Sequence, residues 1–275
     1  MAVESVTEAA MNWGTVSGAS MVGMVISLLL SVGLPIFLGV FIYKKTRAWV
    51  PAFFIGCGIF VGFAMILEQI CHAIMLTVSG SVIRENIWLY AIYGGLAAAL
   101  FEECGRWIAM KFFLKKHLTR ENALMYGAGH GGIEAFLILG MSSMSNLLTA
   151  AMINGGLMEK TMTALEPAQQ EVTYHQLSVL WTTPAYQFYL APVERISAIA
   201  LQIALSILVY SAVKTGRKLQ LAAAFGLHFA VDFLTVVCAS TIPTWALELG
   251  LLLVVAVICV VVYKLVYLSL AEKKA

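Results

Sequence analysis

The chain has 275 residues, of which 61% are hydrophobic and only 12% are charged, and its formal net charge is +2. A soluble domain carries about 25% charged residues, so this composition excludes an ordinary soluble protein and predicts one embedded in a membrane. The small net charge, without a basic patch, excludes a nucleic-acid partner.

Seven stretches reach the roughly 20 apolar residues that a helix needs to cross a bilayer. They lie at approximately 17–43, 50–79, 87–110, 121–154, 186–213, 219–240 and 243–269. No internal repeat and no second domain are visible. We therefore predict a single integral membrane domain over residues 1–275, an all-α, multi-pass bundle of seven transmembrane helices.

The charges between these spans predict their orientation. Basic residues follow the first, third, fifth and seventh spans, whereas the alternate connections contain only Arg84 and Lys160. Because cytoplasmic loops carry the excess of Lys and Arg, we predict an outside N-terminus and a cytoplasmic C-terminus. The longest connection, about 155–185, then faces outside, and we expect it to hold a short interfacial helix with Trp181 at the headgroup level.

Three of the spans contain clusters of ionisable residues, at 102–106, 130–134 and 228–232. Charged groups at membrane depth cost several kcal/mol unless they face the protein interior and find partners. A rise of about 1.5 Å per residue puts Glu102 about 12 Å, and His130 and His228 about 13 Å, from the predicted cytoplasmic edge. This common depth predicts one buried site. Its candidate residues are Glu102, Glu103, Arg106, His130, His228 and Asp232, with Glu134 and Tyr126 supporting them.

Helical spacing predicts which of these residues share a face. Residues four apart are neighbours, so Glu102 should reach Arg106, and His228 should reach Asp232. Glu103 can also reach Arg106, and a structural salt bridge explains that pair as well as a catalytic role does. Glycines at 127, 129, 131 and 132 surround His130. They indicate close helix packing, bare backbone that leaves room for water or peptide, or both.

A glutamate and a histidine that hold a water molecule between them can catalyse hydrolysis by general base catalysis. Asp232 is the only aspartate, which excludes a two-aspartate intramembrane protease, and neither His-Glu-x-x-His nor Gly-x-Ser-Gly occurs. The remaining chemistry is a glutamate base, with or without the aid of a metal ion.

The motifs Glu102-Glu103-x-x-Arg106, Tyr126-x-x-x-His130 and His228-x-x-x-Asp232 resemble the three-motif signature of the CAAX-protease and bacteriocin-processing superfamily. Their flanking residues are more similar to its YhfC branch, relatives of PrsW. The resemblance covers spans three to six, with core helices at about 87–154 and 186–240. Related members are described as glutamic intramembrane endopeptidases, although the group was first labelled as metalloproteases.

The resemblance implies that Glu102 activates water, His130 holds it, and His228 with its partner four residues later stabilises the oxyanion. That partner is usually Asn, whereas here it is Asp232. An ionised aspartate cannot donate a hydrogen bond. Asp232 is therefore protonated by burial, orients His228, or helps to bind a metal. The residue types also suit Zn²⁺. That alternative ligand set is His130, Glu134, His228 and Asp232.

Other polar residues in the spans are interpreted as structural. Glu68 and His72 share a face of span two, and Glu194 and Arg195 lie in the outer half of span five. Glu68 and Arg195 have matching depths, so we expect them to pair with each other. His117 and His175 are expected to be plain surface residues.

The sequence thus predicts a glutamic-type intramembrane endopeptidase in a prokaryotic cell membrane, acting on membrane protein or peptide segments. We expect its site to open towards the cytoplasmic half of the bilayer and to need no cofactor. Three alternatives stay open: a zinc-dependent protease using the same residues, a proton- or ion-coupled transporter, and a non-catalytic partner protein. Buried Glu, His and Asp also relay protons in transporters.

Overall fold

The computed structural model describes residues 11–270, and within this range it contains helices and no strand. We number the helices of this range in chain order, treating each continuous membrane-length helix as one element. They are α1 (Gly18–Thr46), α2 (Pro51–Glu85), α3 (Ile87–Phe113), α4 (Arg120–Asn154), α5 (Leu157–Met162), α6 (Pro167–Thr182), α7 (Ala185–Thr215), α8 (Lys218–Ala239) and α9 (Thr244–Tyr267).

The seven long helices confirm the seven predicted spans, with ends that differ from the prediction by a few residues. The connection before α7 is more structured than expected, because it holds two helices, α5 and α6, instead of one. The Trp181 ring lies at the end of α6 and packs against Trp13 and Tyr174, with ring centroids 5.8 and 5.7 Å away.

Helix α7 forms the centre of the bundle. Of its most apolar stretch 72% is buried, against 11–33% for the other six long helices of the described range. It packs against α1, α3, α4, α8 and α9. A helix that is apolar on all sides is stable in such a position, because every face meets another helix. The polar side chains of this stretch, such as Ser197, Gln202 and Ser206, are therefore buried in protein.

Glycines allow α4 to approach its neighbours closely. A Cβ added at Gly129 would lie 1.9 Å from the Phe53 carbonyl oxygen of α2, and one at Gly127 would lie 2.7 Å from the Ile203 Cα of α7. At Gly132 the contact is with Pro35 of α1, at 2.6 Å. The glycines therefore serve helix packing. The expectation that they leave room for water or peptide is wrong, since neighbouring helices fill that space.

We expect Gly129→Ala to lower the stability of the protein. Its methyl group would meet the Phe53 carbonyl oxygen, so two helices must move apart, and overpacking of this kind costs about 1–3 kcal/mol. Gly33→Ala on α1 is the matched control, because an added Cβ there meets no atom within 4 Å. Thermal unfolding in detergent should show a lower midpoint for Gly129→Ala alone. Equal midpoints for the two variants would contradict the packing described here.

The apolar core fills the half of the bundle in which α3 ends and α4 begins. Its fully buried side chains, all at most 1% exposed, include Met110, Leu114, Tyr126, Leu205 and Val209. They come from α3, α4 and α7 and from the turn after α3. This packing closes one side of the region where the ionisable residues lie.

Candidate active site

A contact between Glu102 of α3 and His130 of α4 joins two of the predicted motifs. The Glu102 Oε2 atom lies 2.9 Å from His130 Nε2, and the His130 side chain is fully buried. The hydroxyl of Tyr126, one turn earlier on α4, lies 3.4 Å from His130 Nδ1. A Tyr126 hydroxyl that donates to Nδ1 leaves Nε2 to carry the proton and to donate it to Glu102.

Glu103 has a different position from its neighbour Glu102. Arg106 Nη1 donates to Glu103 Oε1 at 2.6 Å, and His228 Nδ1 of α8 lies 2.8 Å from the same oxygen. Glu103 and Arg106 are 2% and 0% exposed, so this carboxylate is enclosed between helices. The structure therefore contains the expected salt bridge, and Glu103 also connects α3 to α8.

The contact with Glu103 orients the His228 ring. With Nδ1 directed at Glu103, the other ring nitrogen, Nε2, lies 4.0 Å from Glu102 Oε2 and 3.5 Å from Asp232 Oδ2. The structure thus brings Glu102, His130 and His228 together from three helices, as their common depth predicted. Asp232 contacts His228 from one turn away, as expected from their spacing.

Gln202 of α7 joins these groups and was missed by the sequence analysis. Its side-chain oxygen accepts a hydrogen bond from Arg106, and its Nε2 donates to Glu102 Oε2 and to Glu134 Oε2, each at 2.8 Å. Because arginine only donates, this pattern fixes the orientation of the amide. The sequence feature that could have identified Gln202 is that it is a lone side-chain amide within the apolar stretch 196–213.

Arg195 belongs to the same site, which corrects a prediction. Its Nη1 donates to Glu134 Oε1 at 3.2 Å, and its Nη2 pairs with the neighbouring Glu194. The expected pair between Glu68 and Arg195 is wrong. Depth alone did not tell which neighbouring helix Arg195 faces, and the close packing of α7 on α4 brings it to Glu134.

Glu68 is buried on α2 and has a partner on its own helix. Its Oε1 lies 3.3 Å from His72 Nε2, and His72 Nδ1 lies 2.7 Å from the Tyr93 hydroxyl of α3.

A cavity of about 270 Å³ lies against these residues, between α3, α4, α7, α8 and α9. Glu102, Gln202, His228 and Asp232 line it. From there it extends past Gly94 and Arg195 towards the ends at which α3, α7 and α9 begin. The Glu194 and Asp232 side chains, each 35% exposed, mark its accessible edge.

Given the position of the cavity, the expected cytoplasmic opening and the expected topology cannot both be right. With the predicted topology, the beginnings of α3, α7 and α9 face outside, and the apolar core around Met110 and Tyr126 fills the cytoplasmic half. A site that opens towards the cytoplasmic half is therefore incompatible with that topology. Spacing along a helix indicates the depth of a residue in the membrane. It does not indicate whether the half of the bundle above or below that residue is filled by apolar side chains.

The residues proposed as alternative metal ligands do not converge. Within residues 11–270, no three His, Cys, Asp or Glu side chains are arranged to hold a metal ion. His130 Nε2 contacts Glu102, and the Gln202 amide group lies between the carboxylates of Glu102 and Glu134. The two N–H groups of the Gln202 amide point into the space where a cation bound by the Glu102 and Glu134 carboxylates would lie. As arranged, these donors do not fit Zn²⁺.

We expect Gln202→Leu to destabilise the protein. The change removes one hydrogen bond from each of two buried carboxylates, and an unsatisfied buried polar group costs about 1–3 kcal/mol. Gln187→Leu, on the same helix and outside this network, is the matched control. Thermal unfolding of both variants in detergent tests this, and an unchanged midpoint for Gln202→Leu would contradict the network.

Comparison with known proteins agrees with the motifs. Residues 30–259 match a family model described as YhfC intramembrane metalloprotease. The chain is also 41% identical over 222 residues to the uncharacterized membrane protein YhfC of Bacillus subtilis (strain 168), covering 78% of this chain and 83% of that protein. No solved structure matches. These matches confirm the resemblance to the YhfC branch, and the chain belongs to the YhfC family of membrane proteins, whose family model carries the description of an intramembrane metalloprotease.

Proposed function

We propose that this protein is an intramembrane endopeptidase of the glutamic type, in which Glu102 activates water to hydrolyse a peptide bond of a membrane-embedded protein or peptide. One observation carries the proposal. The Glu102 carboxylate lines a cavity at membrane depth, contacts His130 at 2.9 Å and faces His228 across 4.0 Å. The protease description of the family supports the same class of reaction.

Glu102 is the base in this mechanism. His130 and Gln202 donate to its Oε2 atom, which orients the carboxylate, and we assign its Oε1 atom to the attacking water. The water proton moves to Glu102 while the water oxygen bonds to the substrate carbonyl carbon.

His228 stabilises the resulting tetrahedral oxyanion. Glu103 holds its Nδ1–H, so a protonated Nε2 presents a donor to the developing negative charge. The carboxylate of Asp232 has no hydrogen to donate, and we assign it to supporting the positive charge on His228. When the carbon–nitrogen bond breaks, the proton held by Glu102 moves to the leaving amine nitrogen.

The family description names a metal, so a zinc-dependent protease is the alternative within the same class of reaction. The position of the Gln202 amide between Glu102 and Glu134, and the contact between Glu102 and His130, favour the metal-free reaction. Glu103 is not assigned as the base, because Arg106 and His228 both contact its Oε1 atom and the residues that line the cavity do not include it.

The experiment uses full-length protein, reconstituted in liposomes with a pool of synthetic transmembrane peptides. We expect mass spectrometry to find cleaved peptides with the wild-type protein, and none after His130→Ala or His228→Ala. Solute flux across the same liposomes tests the transporter alternative. Flux that survives both substitutions, without any peptide cleavage, would overturn the proposal.

A further inference from the structure

An apolar groove runs along the lipid-facing surface between α8 and α9. It consists of two adjoining hollows of about 220 and 380 Å³. Helix α8 packs mainly on α3, and α9 packs mainly on α7. The contact between α8 and α9 themselves is therefore small. The side chains that define this α8/α9 groove include Val231, Leu234, Cys238, Gly250, Leu251 and Val254.

The α8/α9 groove is continuous with the cavity at the site. Val231, Thr235 and Leu251 line the cavity on one side and the groove on the other. His228 and Asp232 lie on the same helix, within one turn of Val231. Three side chains of modest size therefore separate the lipid-facing surface from the residues assigned to the oxyanion and to its support.

The chemistry of the groove indicates its occupant. Its walls are almost entirely aliphatic, and an atom added at Gly250 meets nothing within 4 Å, so another chain can approach the backbone there. Helix interfaces in membranes use small residues in this way. A membrane-spanning helix would bury an apolar face against such a surface, whereas a polar peptide from water would not.

The continuity of groove and cavity also suits hydrolysis. Unwound backbone is tolerated at membrane depth only where protein or a polar cavity surrounds it. A helix seated against the groove has such a cavity beside it, lined by Glu102, Gln202 and Asp232. One part of a substrate helix can therefore remain in the groove while the adjoining residues unwind towards Glu102.

We propose that the α8/α9 groove is the surface through which the apolar transmembrane segment of a protein substrate reaches the site laterally from the lipid. This inference rests on the proposed function and specifies its substrate as a membrane-spanning segment. The occupant is a segment of another protein, and neither a lipid chain nor a second copy of this chain.

Photocrosslinking tests where such a segment binds. The probe is a synthetic leucine–alanine transmembrane peptide with a diazirine at its centre, reconstituted with the full-length Glu102→Gln protein in phosphatidylcholine–phosphatidylglycerol liposomes. We expect cross-links to concentrate at Leu234, Gly250 and Val254 and to disappear with excess unlabelled peptide. Cross-links that are spread evenly over the lipid-facing helices, or that are insensitive to that competitor, would overturn the proposal.

A matched pair of variants tests access to the site. Gly250→Phe places a ring in the groove, whereas Gly33→Phe places one on an exposed and equally open position of α1. Their substrates are a transmembrane peptide that the wild type cleaves and a short soluble peptide with the same cleavage sequence. Gly250→Phe should slow cleavage of the transmembrane peptide by about tenfold or more, equivalent to about 1.4 kcal/mol, and leave the soluble peptide unaffected.

The outcomes separate this inference from the proposed function. Equal rates for Gly250→Phe and Gly33→Phe on the transmembrane peptide, or an equal loss on both peptides in folded protein, would overturn lateral access. A wild-type protein that cleaves neither peptide would overturn the proposed function, while the cross-link map still tests the groove as a docking surface.

Discussion

Replacement of Glu102 by Gln is expected to lower peptide hydrolysis by about 10²–10⁴-fold, the usual contribution of a general base. Glutamine keeps the shape of the side chain but cannot accept the proton of the water. His130 and Gln202 would still lie beside it, so the three-helix contact should survive in part. The rate is measured with purified protein in liposomes, on a transmembrane peptide that the wild type cleaves.

Glu121→Gln is the control for this loss of activity. Glu121 lies at the beginning of α4, where it accepts a hydrogen bond from Arg120 away from the cavity. We expect its variant to retain the wild-type rate, and both variants to remain folded in detergent. A Glu102→Gln protein with the full rate would remove Glu102 as the base.

The largest expected loss of stability follows from Arg106→Met. Arg106 is fully buried, donates to Glu103 at 2.6 Å and pairs with Gln202. Without it the Glu103 carboxylate, 2% exposed, keeps only its His228 partner among the contacts of this network. Removal of one member of a buried ion pair costs about 3–5 kcal/mol, because the other charge remains without compensation.

Unfolding in detergent measures this loss, and two further variants identify its cause. Arg84→Met removes an exposed arginine of α2 and should leave the unfolding midpoint unchanged. The double variant Arg106→Met with Glu103→Gln should recover part of the lost stability, because it also removes the uncompensated charge. A double variant less stable than Arg106→Met alone would contradict this explanation.

The sequence predicted the seven helices because apolar length is a strong physical constraint in a bilayer. It also predicted that Glu102, His130 and His228 lie together, because their depths followed from helical rise. The His228–Asp232 and Glu103–Arg106 contacts followed from the spacing of neighbours on one helix. Each of these inferences concerns one helix at a time, or a distance along the membrane normal.

The sequence did not predict features that depend on how the helices rotate against each other. Gln202 is a neutral amide in an apolar helix, and only its place on the central α7 brings it to Arg106, Glu102 and Glu134. Arg195 was assigned the wrong partner for the same reason. The side on which the cavity lies depends on which half of the bundle is filled by apolar side chains.

The central claim is that Glu102 activates water without a bound metal ion. Its most direct test is peptide cleavage by purified wild-type protein whose metal content is measured before and after chelation. We predict an undiminished rate in protein that contains less than one metal ion per chain. A rate that falls on chelation and returns when Zn²⁺ is added would contradict the claim.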